Sequence, residues 1–180
     1  IMPHVLQAPR DCGGLLAIPF MDDEPALGID RGGGAMLVGL NPDNATHGNS
    51  ARAGLLATIF NLRLGSEPLD QQGYPRNKIV LSGGLTRTPE LGQIVADVFR
   101  TPVQILAAAE EGTAWGAALL AKFRRQCMTD PIDWTSFLAS QSHSVGKQLE
   151  PDATAAEQYD EAYARYHTLL ETQFAFADER

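Results

Sequence analysis

Gly83 and Gly84 stand between an apolar run, Ile79-Val80-Leu81-Ser82, and a polar turn, Leu85-Thr86-Arg87-Thr88, that ends at Pro89. A glycine pair lets backbone turn sharply and approach a flat ligand with no Cβ in the way. Arg87 offers a planar cation that can stack on a ring. Thr88 offers a hydroxyl, either to a ligand or to the first turn of a helix. Glycine turns at strand ends commonly hold nucleotides, and that is the chemistry this set suits. Neither G-x-G-x-x-G nor the P-loop pattern is present, so a Rossmann or Walker site is not indicated. Taken alone, a Gly-Gly turn is most often a tight strand-to-helix connection.

Other constellations are thin. His4, His47, His143 and His167 are scattered, with no cysteine or carboxylate at metal-ligand spacing, so no metal site is expected. Ser82 lacks a G-x-S-x-G elbow and an evident triad. Asp22, Asp23 and Glu24 form an acidic cluster of the kind usually found in a solvated loop, with sugar or magnesium contact as a second reading. Cys12 and Cys127 lie far apart and read as free thiols of a reducing compartment.

The elements that position the glycine pair follow from local pattern. Ile79 to Leu81 suits a buried strand. Pro89 fits the first position of a helix, where no amide donor is needed, and Leu91, Ile94, Val95 and Val98 continue it at helical spacing. Thr101-Pro102 ends that helix, Val103 to Leu106 reads as a strand, and a second helix starts near Glu111. Gly116 costs that helix propensity, and Gly116-Ala117-Ala118 can let a backbone or a ligand come unusually close. Arg124 and Arg125 complement the dipole in its last turn.

Upstream, residues 1–13 read as irregular, Leu15 to Phe20 and Ala35 to Leu40 as strands, and 21–34 as loop. Asn49 or Ser50 is expected to cap a helix across Ala51–Leu64, followed by a polar linker over 65–77. Residues 126–150 read as mixed surface structure. A final helix is expected from about Ala153 to Phe174, with Tyr159, Tyr163, Tyr166, Leu170 and Phe174 along a packing stripe. The whole reads as one compact unit with a tail: a core of about 14–125 and an extension over 126–180.

At 180 residues, 44% hydrophobic and 20% charged, the chain can bury one good core. A net charge of −8 argues against nonspecific nucleic-acid binding. No apolar run approaches the roughly 20 residues that cross a bilayer, so no membrane partner is expected. No signal peptide is visible, and the composition agrees with a cytoplasmic enzyme. The start at Ile1 suggests a fragment or a trimmed chain.

The ordered blocks Gly83-Gly84, Gln93 to Val98, Pro102-Val103 and Glu111 to Ala118 resemble the adenosine-binding segment of the FGGY carbohydrate kinases, within the actin-like ATPase superfamily. Gly14 to Phe20 is similar to the family's Gly-Leu-Leu-x-x-Pro-Tyr stretch. Arg52-Ala53 with Phe60, Leu62 and Arg63 matches its Arg-Ala-rich helix, and the late tyrosines resemble the last helix of xylulokinase-like members. There are departures. Asp22-Asp23-Glu24-Pro25 replaces Gly-Glu-Arg-x-Pro, and Leu56-Ala57 stands where relatives carry Glu-Gly. Asp30-Arg31-Gly32-Gly33-Gly34 resembles a phosphate loop of actin-like ATPases, but its distance from Gly83 suits the sugar kinases, where this stretch is not that loop.

The resemblance implies an α/β fold of the ribonuclease H-like, actin-like kind, with a mixed sheet flanked by helices and missing its first hairpin. It implies ATP as ligand, with Mg2+ bound through the ATP phosphates and no protein metal ligand. Gly83, Gly84, Arg87 and Thr88 are then expected to hold the adenosine, with Gly116 and Ala117 as floor. The catalytic aspartate and main phosphate loops of the family precede the matched region, so no catalytic residue is expected here. The sugar, a pentulose or related compound, is expected to bind mainly through an amino-terminal domain outside this chain. The parent protein is then a kinase, and this chain alone is inactive. A non-catalytic binding or assembly module is the alternative, and a chaperone-type ATPase a weaker one. A bared sheet edge makes self-association, as in a homodimer, a further expectation.

Overall fold

A computed structural model describes residues 1–106, 111–141 and 146–178, with side chains through Leu170 and at Thr172. The chain divides into two compact units, one of residues 1–77, 97–100 and 151–180, the other of residues 78–96 and 101–150.

The first unit opens with helix α1 (Met2–Gln7), inside the stretch expected to be irregular. Pro3 sits in its first turn, where proline's fixed φ favours helix and its missing donor costs nothing. Strands β1 (Leu16–Ile18) and β2 (Met36–Val38) pair antiparallel, with Leu16 opposite Val38 and Ile18 opposite Met36. Helix α2 (His47–Gln71) follows. Its cap is Thr46, whose hydroxyl accepts from the Asn49 amide at 3.1 Å, so the helix begins earlier than Asn49 or Ser50 implies.

The helix also runs through Pro68, where a linker was expected. Side-chain ties explain the extension: the Ser66 hydroxyl donates to the Arg63 carbonyl, and Arg76 bonds both Ser66 and Asp70. Bonds of this kind hold the turn around Pro68, although none reaches the Leu64 carbonyl that the proline leaves without its usual donor.

Helix α6 (Ala153–Asp178) starts behind Asp152, whose carboxylate accepts from the Ala155 amide at 2.7 Å. The tyrosine stripe is core: Tyr159, Tyr163, Tyr166 and Leu170 are all buried, while the side chain of Phe174 lies outside the described residues. From α2, Phe60 meets Tyr163 at 5.4 Å and Tyr166 at 5.5 Å between ring centres. Aromatic pairs at these separations add to the area they bury.

The second unit is built on a three-stranded mixed sheet in the order β3 (Ile79–Leu81), β4 (Val103–Ile105), β5 (Lys147–Leu149). Strands β3 and β4 are parallel, with Ile79 opposite Val103; β5 runs antiparallel to β4. Between β3 and β4 lies α3 (Pro89–Phe99), which buries Leu91, Ile94 and Val95. At Gly92 an added Cβ would stand 2.8 Å from the Leu149 Cδ1 and 3.2 Å from the Ile105 Cδ1, so the bare position lets α3 lie close on the sheet. Helices α4 (Gly112–Cys127) and α5 (Trp134–Ser140) follow β4, and Asp133 caps α5. The surface stretch expected over 126–150 therefore contains both α5 and the third strand.

Candidate functional site

The glycine pair lies where the pattern puts it, at the carboxyl end of β3. Gly83 adopts φ 82° and ψ −161°, a conformation that side chains strongly disfavour. A short 3-10 turn, Gly84–Arg87, follows and carries the chain to Thr88 and α3. Thr86 secures the turn: its amide and its hydroxyl both bond the Gly83 carbonyl, at 3.1 and 2.7 Å. The Thr88 carbonyl accepts from the Leu91 amide at 2.9 Å, within the first turn of α3.

The pair is open. Among the described residues, a Cβ built on Gly83 or on Gly84 would find no atom within 4 Å. Among the described residues the space above the bare backbone is therefore free for a flat group. Arg87 is exposed and Thr88 half-buried on the same turn.

Helix α4 reaches this turn through its first residue. A Cβ on Gly112 would lie 2.9 Å from the Ser82 Cβ and 3.1 Å from its Oγ, so the start of α4 rests directly on the residue before the pair. Gly116 and Ala117 follow one helical turn later, both exposed, and a Cβ on Gly116 would meet nothing within 4 Å. The bare Cα of Gly116 thus serves no close helix packing among the described residues. Gly112 was not singled out by the sequence, because it stands at a variable position of the Glu-x-x-Ala-x-Gly-Ala-Ala block.

The rival glycine run is tied up. The Gly32 amide donates to the Asp23 carboxylate at 2.7 Å, and a Cβ on Gly32 would overlap the Asp22 backbone. A donor already spent on a carboxylate is not offered to phosphate, which favours the loop reading of Asp30 to Gly34. In the first unit an open cleft of about 1260 Å³ is lined by His4, Gln7, Leu37, Leu40, Asp43 and His47 among others, and none of the expected site residues lines it. Among the described residues, no group of three His, Cys, Asp or Glu is placed to hold a metal ion. None of their helices is long and apolar enough to cross a membrane. His143 lies outside the described residues.

A mixed sheet flanked by helices, with a glycine turn at a strand end, defines an α/β domain. Residues 4–124 match the FGGY family of carbohydrate kinases, C-terminal domain. The chain belongs to that family, and its fold is the actin-like one of these kinases. It is 30% identical over 166 residues to a xylulose kinase of Haemophilus influenzae, covering 91% of this chain and 32% of the relative. A ribulokinase of Mycolicibacterium smegmatis is 32% identical over 118 residues, 64% of this chain and 21% of that protein. Among solved structures, the xylulose kinase from Rhodospirillum rubrum superposes with a TM-score of 0.74 at 28% identity, over 98% of this chain and 33% of that one. The chain thus spans about a third of the length of such relatives.

Proposed function

We propose that this chain is the adenosine-binding lobe of an ATP-dependent sugar kinase whose acceptor is a pentulose or related sugar. The observation that carries the reading is the open backbone at Gly83 and Gly84, at the end of a strand in a member of the FGGY family. Gly83 and Gly84 lie against the purine and ribose, Arg87 flanks the ring with its planar cation, and Thr88 makes the polar contact with adenine. Gly116 and Ala117 form the floor. The named activities of the relatives, xylulose kinase and ribulokinase, support a ketopentose as acceptor.

Phosphoryl transfer needs a base at the acceptor hydroxyl, donors around the phosphates and a divalent ion. Magnesium arrives with ATP, held by its phosphates, and supplies charge neutralisation there. No residue of this chain is assigned to base or phosphate work, so the chain alone binds nucleotide without turning it over, in a cytoplasmic setting.

Calorimetry with ATP and magnesium tests the reading. Binding that Gly84→Trp abolishes supports it, because the indole fills the space over the turn. Absence of binding by the unaltered chain overturns it in favour of a non-catalytic assembly module. Sugar-dependent ATP hydrolysis by this chain alone would overturn the assignment of catalysis to other parts of the parent protein.

A further inference from the structure

We infer that Gly112 is a positioning residue for the glycine pair: its bare Cα lets the first turn of α4 close on Ser82, and that contact holds Gly83 and Gly84 open. The inference rests on the nucleotide reading of the pair. The geometry is tight. A methyl at position 112 would stand 2.9 Å from the Ser82 Cβ and 3.1 Å from its Oγ. Rotation about χ1 moves only the hydroxyl. The Cβ is fixed to the main chain, so relief requires residue 82 or the first turn of α4 to move.

Movement at residue 82 passes straight into the turn. The next residue is Gly83, held at φ 82°, and the next two start the 3-10 turn. Glu111 occupies the cap position of α4 without a side-chain hydrogen bond among the described residues, so the Ser82 contact is the one shown here at this end of the helix. Glycine is a poor choice for a helix unless something demands it. At Gly116, in the same helix, no neighbour among the described residues demands it; at Gly112 the Ser82 side chain does.

A size-exchange cycle on the full chain tests this, with Mg-ATP as the probe in calorimetry and thermal unfolding recorded without ligand. Gly112→Ala is expected to raise the Kd about tenfold, the loss that follows when a contact of ordinary strength is spoiled. Adding Ser82→Gly removes both crowded atoms and is expected to restore most of that affinity. A merely structural role would lower the unfolding midpoint of Gly112→Ala and leave the Kd in place, which overturns the inference. So does a double variant that binds no better than Gly112→Ala. If Ser82→Gly alone weakens binding as much, the serine itself is the contact and Gly112 does not act through it. Failure of the unaltered chain to bind removes the nucleotide reading and this inference together, whereas binding unchanged across the cycle removes this inference alone.

Discussion

Arg52 donates a hydrogen bond of 2.7 Å to the hydroxyl of Tyr159, joining α2 to α6 across 107 positions of sequence inside the first unit. Both residues are buried. The guanidinium also donates to the Val5 carbonyl at 3.0 Å, while its Nε has no partner among the described residues. The acceptors shown for this cation are neutral, a carbonyl and a phenol. Burial keeps the Tyr159 phenol above its ordinary pKa despite the adjacent arginine, so it stays protonated.

Tyr159→Phe is therefore expected to destabilise the chain by about 1–3 kcal/mol, because it leaves a buried cation with a second unmet donor. Urea unfolding measures it. A change within experimental error would mean that Arg52 finds water or another acceptor.

Asp160 accepts from Arg63 and from Arg100, each at 2.6 Å. Burial works to raise its pKa, but the bonds from the two arginines outweigh it and hold the carboxyl below the ordinary value. A group depressed in the folded state stabilises it fully above the unfolded pKa, about 3.9, and loses that as pH falls through the folded value. Asp160→Asn should cost about 1 kcal/mol near neutral pH, a modest figure because the carboxylate is partly exposed. The gap between the two proteins should close below pH 4 in acid titrations of stability. A gap that persists to pH 2 would assign the effect to packing.

Cys12 has no exposed surface, and burial pushes its thiol up to about 11 against the attraction of Arg52. Since the thiolate is the reactive form, a thiol reagent at pH 8 should label the native chain at the half-buried Cys127 alone. Denaturant should expose the second thiol. Two equal fast phases in the native protein would contradict the buried setting of Cys12.

Much of this was legible in the chain itself. The positions of the strand, glycine turn and helix from Ile79 to Phe99 follow from local rules, and so does the tyrosine stripe of α6, because period and breakers suffice there; the strand is not the buried one its β-branched residues suggest, since Val80 is exposed and its neighbours half-buried. The extension of α2 through Pro68 was hidden. It depends on Arg76 reaching back to Ser66 and Asp70, contacts that no propensity encodes. Helix α1 was missed because its first turn holds a proline, which reads as a breaker when the capping context is unknown. Gly112 escaped notice for a related reason. A glycine after an acidic residue suggests a helix start, and only packing reveals that Ser82 leaves no room for a methyl.

Strand β3 offers a last test. Among the described residues it bonds β4 on one side and no strand on the other, and Val80 in its middle is 50% exposed. Neither proline nor a bulge blunts that edge, and unprotected edges recruit strands from other chains. Light scattering should therefore show association that grows with concentration. Val80→Lys places a charge at the centre of the edge, which opposes pairing of like strands, and should shift the distribution towards monomer while leaving the unfolding midpoint nearly unchanged. A monomer at all concentrations before substitution would show that so short an edge is no template.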